Sequence, residues 1–97
     1  MPTFIILANW TEDGIKNIKG SPDRLDAAKQ AFKDAGAELK EFYMVMGQYD
    51  MVLVTEAPNG ETISKLLLAI ASGGAVSTET LRAFPEDEYR KVVAGLS

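Results

Sequence analysis

Apolar and polar positions follow a two-residue repeat in four stretches of the chain, which predicts four β-strands. Residues 3–10 are apolar on both alternating faces, as in a strand at the centre of a sheet. Residues 76–84 carry threonines and polar side chains on both faces, which is typical of an edge strand. The predicted strands are residues 3–10, 39–46, 51–55 and 76–84.

A repeat of three and four residues predicts three longer helices between and after these strands. Ser21 caps the first helix, with Pro22 at its first helical position, and Gly36 ends it. The second helix ends at Gly73-Gly74, and Pro85 opens the third. Their apolar stripes are Leu25, Ala28, Phe32 and Ala35, then Ile63, Leu66, Leu67 and Ile70, then Tyr89, Val92, Val93 and Leu96.

A tight turn at residues 47–50 joins the second and third strands into a β-hairpin. We expect Gly47 to pair with Asp50 across this turn. Both faces of the hairpin are then apolar, although helices are expected on one face only. A second copy of the chain is therefore expected to cover the other face. One face carries Phe42, Met44, Met46, Met51 and Leu53, and the opposite face carries Tyr43, Val45, Val52 and Val54.

The predicted order of elements is β-α-β-β-α-β, with a carboxy-terminal helix added and a short helical turn expected in residues 11–20. This order is the α+β, ferredoxin-like arrangement, in which one antiparallel sheet carries its two main helices on one face. At 97 residues the chain is expected to form one domain, residues 1–97.

The amino-acid composition of the chain argues against several kinds of binding site. The sequence has no cysteine and no histidine, so thiolate and imidazole ligands for transition metals and haem are absent, and we expect no cofactor. Ten basic and fourteen acidic residues, scattered along the chain, argue against nucleic acid as a partner. The apolar run near the amino terminus is too short to be a signal peptide or a membrane span. We therefore expect a cytoplasmic protein that does not bind membranes.

Three segments in order resemble the GYD family of small bacterial and archaeal proteins. They are Gly47-Gln48-Tyr49-Asp50, Thr80-Leu81-Arg82-Ala83-Phe84 and Pro85-Glu86-Asp87-Glu88-Tyr89, and Trp10-Thr11, Gly14 and Pro22-x-Arg24 extend the resemblance over essentially the whole chain. The resemblance implies a dimeric α/β-barrel, in which two ferredoxin-like sheets face each other. It also implies a relation to the effector-binding modules of Lrp/AsnC-type regulators and, in architecture only, to cofactor-free monooxygenases.

Five side chains are candidate ligand-binding residues: Trp10, Tyr43, Tyr49, Asp50 and Arg82. Tyr49 and Asp50 either form a polar lip over a pocket or, as we favour, pack beside the turn and cap its amides. Arg82 either binds a carboxylate or phosphate, or forms an ion pair with Asp50, Glu41 or Glu56.

The other two candidates are aromatic. Trp10 lies where a ligand crevice could open at the end of a strand, but core or interface packing is commoner there. Tyr43 is either a proton donor in a pocket or a packed strand residue. The acidic run at residues 86–88 is expected to favour the helix dipole and not to bind a metal.

Two functions fit these features best. The first is a small-molecule-binding or sensing module that acts as a homodimer or a dimer-based oligomer. The alternative is a cofactor-free oxygenase- or isomerase-like enzyme that uses Tyr43, Tyr49, Asp50 and Arg82. A purely structural assembly protein is a third option.

Overall fold

Four strands form one antiparallel sheet in the computed structural model, which describes residues 1–97, and the strand order is β2-β3-β1-β4. The strands are β1 (Thr3–Trp10), β2 (Glu38–Met44), β3 (Met51–Glu56) and β4 (Val76–Ala83). The helices are α1 (Glu12–Lys16), α2 (Ser21–Asp34), α3 (Gly60–Ser72) and α4 (Glu86–Ala94), and a 3-10 turn at Ile18–Gly20 joins α1 to α2. The α+β, ferredoxin-like prediction is confirmed.

The apolar character of β1 follows from its central place in the sheet. It pairs antiparallel with β3 on one side and with β4 on the other. Phe4, Ile6 and Ala8 alternate on one face of the strand and are all buried. Ile5 and Leu7 alternate on the other face and are only partly buried. The helices therefore cover one face of the sheet.

The core lies between that face and helices α2 and α3. Phe32 of α2 and Ile63 of α3 are almost completely buried there, together with Ile6. Thr55 is the one buried polar side chain of this layer, and its hydroxyl donates a hydrogen bond to the carbonyl oxygen of Phe4 over 2.8 Å. That bond satisfies a polar group whose burial would otherwise be costly.

The hairpin register differs from the predicted one. Met44 lies opposite Met51, and the amide of Val45 donates to the carbonyl of Asp50 over 2.8 Å, so the predicted pairing of Gly47 with Asp50 is wrong by two residues. The turn is wider than expected, and Gly47 has a φ of +124° that glycine tolerates. Because a shift of two residues keeps every side chain on its face, the predicted face assignment still holds within the strands.

The start of α2 also differs from the prediction. Gly20, not Ser21, is the capping residue, and Ser21 is already helical. The cause is the 3-10 turn, which leads into α2 with Gly20 in a helical conformation and leaves no extended residue to act as a side-chain cap. In contrast, the side chain of Asn59 caps α3 by accepting a hydrogen bond from the amide of Thr62 over 2.8 Å.

Helix α4 lies apart from the core. None of its residues is buried, and its apolar side chains Tyr89, Val92 and Val93 are each about half exposed. An ion pair between Arg82 of β4 and Glu88 joins it to the sheet. None of the helices is both long and apolar enough to cross a membrane.

Candidate functional site

A cavity of about 380 Å³ lies between the sheet and helices α2 and α3. Of the 21 residues that line it, 17 are hydrophobic, so its walls offer few groups that could bind water. The apolar wall includes Ile6 and Ala8 of β1, Leu25 and Ala28 of α2, and Leu67 and Ile70 of α3. This volume and lining are typical of a small-molecule site.

Polar side chains on the cavity wall are Ser21, Arg24 and Thr78. Arg24 Nη1 donates a hydrogen bond to the carbonyl oxygen of Asn17 over 3.0 Å. Arg24 Nη2 is buried and has no hydrogen-bond partner, and Arg24 takes part in none of the five ion pairs of the structure. Arg24 is therefore the one charged residue on the cavity wall, and no acidic side chain pairs with it.

Arg24 was not among the residues that the sequence predicted for the site. Its spacing gives a usable signal, because Arg24 precedes Ala28 by four residues and so lies in line with the apolar stripe of α2. A charged residue in line with a core-facing stripe needs either a partner or a ligand.

Trp10 is the only one of the five predicted site residues that lines the cavity. Trp10 is the last residue of β1 and lies opposite Val76 of β4. Val76 and its neighbours Ala75 and Thr78 also line the cavity. A wall position suits either of the predicted roles of Trp10, as a platform for a ligand or as packing. The other four candidates lie elsewhere.

Asp50 stabilises the end of β1. Its Oδ2 accepts a hydrogen bond from the backbone amide of Trp10 over 3.0 Å. Its own amide donates to the carbonyl of Ala8 and to Oδ1 of Asn9, each over 3.0 Å. The carboxylate thus accepts from an amide of the neighbouring strand and not from the predicted turn amides, because Asp50 lies directly before β3, which pairs with β1 at Met51 and Ala8.

We expect Asp50→Asn to retain most of the stability of the protein and Asp50→Ala to lose about 1–3 kcal/mol of unfolding free energy. Asparagine keeps an oxygen that can accept the Trp10 amide, whereas alanine leaves that part-buried amide without a partner. Urea unfolding followed by circular dichroism measures the difference. Asp26→Ala, which removes an exposed carboxylate from α2, is the control. Equal stability of the alanine variant and the wild type would contradict the capping role.

Tyr43 and Tyr49 lie on the side of the sheet away from the cavity. The Tyr43 hydroxyl donates to Glu41 Oε2 over 3.0 Å, and this hydrogen bond, with the nearby charge, raises the pKa of Tyr43. The Tyr49 hydroxyl donates to Glu79 Oε2 over 3.3 Å, and loss of solvation, followed by the Glu79 charge, raises the pKa of Tyr49. Both phenols are therefore neutral hydrogen-bond donors near neutral pH.

Arg82 lies on the helix-covered face of β4, opposite Phe4. Its Nη2 is 3.1 Å from Glu88 Oε1, and its guanidinium lies 4.4 Å from the centre of the Phe84 ring. The predicted partners Asp50, Glu41 and Glu56 are not those observed. The reason is that α4 begins three residues after β4 and brings its own acid to Arg82.

The acidic run that begins α4 is also paired. Glu86 contacts Arg90 over 2.7 Å and Glu88 contacts Arg82. The structure contains no group of three or more acidic side chains arranged to hold a metal ion.

Comparison with known proteins gives the family. The model of the GYD domain matches residues 4–93. A Thermus thermophilus protein named "Glutamine synthetase and cystathionine beta-lyase binding protein" is 40% identical over 86 residues, which cover 88% of this chain and 90% of that protein.

Two solved structures are similar. The crystal structure of TTHA0845 from Thermus thermophilus has a TM-score of 0.56 and 26% identity, and covers 88% of this chain and 95% of its own. The feast or famine regulatory protein of M. tuberculosis, solved with L-methionine, has a TM-score of 0.64 and 18% identity, over 90% of this chain and 54% of its own. The regulator shares the ferredoxin-like fold. With the family model matching nearly the full length, this chain belongs to the GYD domain family.

Proposed function

We propose that this protein is a small-molecule-binding module that acts as a homodimer or a dimer-based oligomer. The observation that carries the proposal is the cavity between the sheet and helices α2 and α3, which is largely apolar and has Arg24 as the single charged residue on its wall. An apolar pocket with a few polar groups is the usual form of a small-ligand site. The enzyme alternative has less support, because Tyr43, Tyr49, Asp50 and Arg82 do not line this cavity.

Self-association is supported by the amount of exposed surface. The chain exposes 6438 Å², whereas a folded monomer of 10.5 kDa is expected to expose about 5,400 Å². The excess of about 1,000 Å² is comparable to the area of roughly 800 Å² that each partner buries in a standard interface. The radius of gyration of 14.6 Å likewise exceeds the value of about 12.5 Å expected for a compact domain of this length.

The surface that suits a second copy is the sheet face without helices, which we call the open face. Its apolar residues are Ile5, Leu7, Tyr43, Val52, Val54 and Leu81, and the strand registers place Glu41, Ser77 and Glu79 on the same face. A sheet face in contact with water alone would be mainly polar. Helix α4 also carries exposed apolar side chains, but its Glu88 pairs with Arg82 on the other face of the sheet. Two copies pairing through their open faces would bury both sheets.

The same strands connect the cavity to the open face. In β1, Ile6 lines the cavity and its neighbours Ile5 and Leu7 belong to the open face, and in β3 Leu53 and Val54 are divided in the same way. A ligand in the cavity and a partner on the open face would therefore act on one sheet. This arrangement supports a sensing role, in which ligand binding and self-association influence each other's affinity.

Native mass spectrometry of the freshly purified protein tests the proposal. We expect a complex of twice the chain mass, or a multiple of it, that carries a small molecule released on denaturation. The released compound is then added back to ligand-free protein to measure its affinity. A monomer to which no compound binds, either from the cell or from a library of small apolar molecules, would contradict the proposal.

A second candidate function is the binding of another protein. It is favoured by the Thermus thermophilus relative, which is 40% identical and is named for binding glutamine synthetase and cystathionine beta-lyase. Mixing the purified protein with glutamine synthetase and measuring co-sedimentation tests this candidate directly. We expect a complex if this function is shared, and independent sedimentation if it is not.

A further inference from the structure

Arg24 is held in place by local structure and not by a counter-charge. Its Nη1 donates to the carbonyl of Asn17, at the point where the 3-10 turn begins. A Cβ atom at position 20 would lie 3.1 Å from Nη1, so the glycine there leaves room for the guanidinium to fold back against the turn. The guanidinium is therefore positioned before any ligand arrives.

Most N–H donors of the Arg24 guanidinium have no acceptor in the protein. Arginine carries five N–H groups in a planar fork, and the structure supplies one acceptor, the Asn17 carbonyl. Nη2 is inaccessible to water and has no protein acceptor, which is an unfavourable state for a charged group. A carboxylate suits such a fork, because its two oxygens accept parallel hydrogen bonds from one guanidinium.

The remainder of the cavity suits the apolar part of such a ligand. Its apolar lining includes Leu25, Phe32, Leu66, Leu67 and Ile70. Besides Arg24, the wall has two polar side chains, Ser21 and Thr78, and both are uncharged hydroxyl donors. No acidic side chain lines the cavity to repel an anion. The lining thus combines a single cation with an extended apolar surface.

We propose that the cavity binds small apolar monocarboxylates and that Arg24 selects the carboxylate group. This inference rests on the proposed small-molecule function and names the chemical class of the ligand. It assigns Arg24 the role of a specificity-determining residue. The apolar wall residues do not distinguish an acid from an alcohol of the same length, and the hydroxyls of Ser21 and Thr78 carry no charge.

Calorimetric titration with octanoate and 1-octanol tests the inference, because the two probes share an apolar chain and differ in charge. We expect the wild type to bind octanoate about tenfold or more tightly than octanol, as a charge-assisted hydrogen bond predicts. Arg24→Gln should reduce the preference to about twofold or less, chiefly by weakening octanoate binding. Arg24→Lys, which keeps the charge but loses the fork, should retain part of the preference.

Arg90→Gln is the matched control, since Arg90 is an exposed arginine paired with Glu86 on α4. It should leave both affinities at their wild-type values. Equal binding of octanoate and octanol to the wild type, or an unchanged preference in Arg24→Gln, would overturn the role of Arg24 and leave the small-molecule function standing. Failure of both probes to bind the folded wild type would overturn the inference and count against the proposed function as well.

Discussion

Leu53→Asp should unfold the protein, whereas Val54→Asp should leave it folded and split it into monomers. Leu53 packs against the core and lies opposite Ile6 of β1 and Phe42 of β2. A carboxylate at that position would be buried without a partner, at a cost of several kcal/mol, which is comparable to the total stability of a small domain. Val54 is one residue further along the same strand, on the open face, where the charge remains in water unless a second copy covers it.

Circular dichroism and sedimentation velocity on the two variants give the comparison. We expect Leu53→Asp to lose the native spectrum and Val54→Asp to keep it while sedimenting as a monomer at micromolar concentration. Ser64→Asp is a control for added charge, because Ser64 is exposed on α3, on the other side of the sheet from the open face. A Val54→Asp variant that self-associates as strongly as the wild type would show that the open face is not the interface. Wild-type protein that is monomeric at these concentrations would contradict self-association altogether.

Ala28→Leu should abolish most ligand binding without unfolding the protein. Ala28 faces the cavity from the middle of α2, so three added carbon atoms would occupy space that is empty in the structure. A bound molecule would then have to share that space, and overpacking costs about 1–3 kcal/mol, or roughly five- to hundredfold in affinity. Stability should stay within about 1 kcal/mol of the wild type, because the new side chain fills a void.

Lys29→Leu provides the matched control for this variant. It introduces the same side chain one residue further along α2, where the position is exposed. We expect Lys29→Leu to bind octanoate with wild-type affinity in calorimetry, while Ala28→Leu binds it far more weakly. If Ala28→Leu binds as well as the control, the ligand does not occupy the cavity between the sheet and the helices.

The repeat of apolar and polar residues along the chain was sufficient to predict the order and type of the strands and helices. The bounds of β1 were predicted correctly because its two apolar faces are encoded in adjacent residues. Thr11, which follows the strand directly, caps α1 by accepting a hydrogen bond from the Gly14 amide. The hairpin faces were also correct, although the register was wrong by two residues. Register depends on the width of the turn, which residues 47–50 alone did not specify.

The candidate site was harder to predict, since it depends on contacts between distant segments. Asp50 accepts from Trp10, forty residues away, and Arg82 pairs with a helix that the pattern predicted but could not orient. Arg24 resembles an ordinary surface arginine in the sequence. Its guanidinium folds back against the 3-10 turn beside Gly20, and no local repeat contains that information.

The central claim is that the cavity between the sheet and helices α2 and α3 holds a small molecule. Intermolecular nuclear Overhauser effects between octanoate and the methyl groups of the labelled protein test it most directly. We expect contacts from the octanoate chain to Leu66, Leu67 and Ile70, whose side chains line the cavity. Contacts confined to open-face residues such as Ile5 and Val54, or none at saturating octanoate, would contradict it.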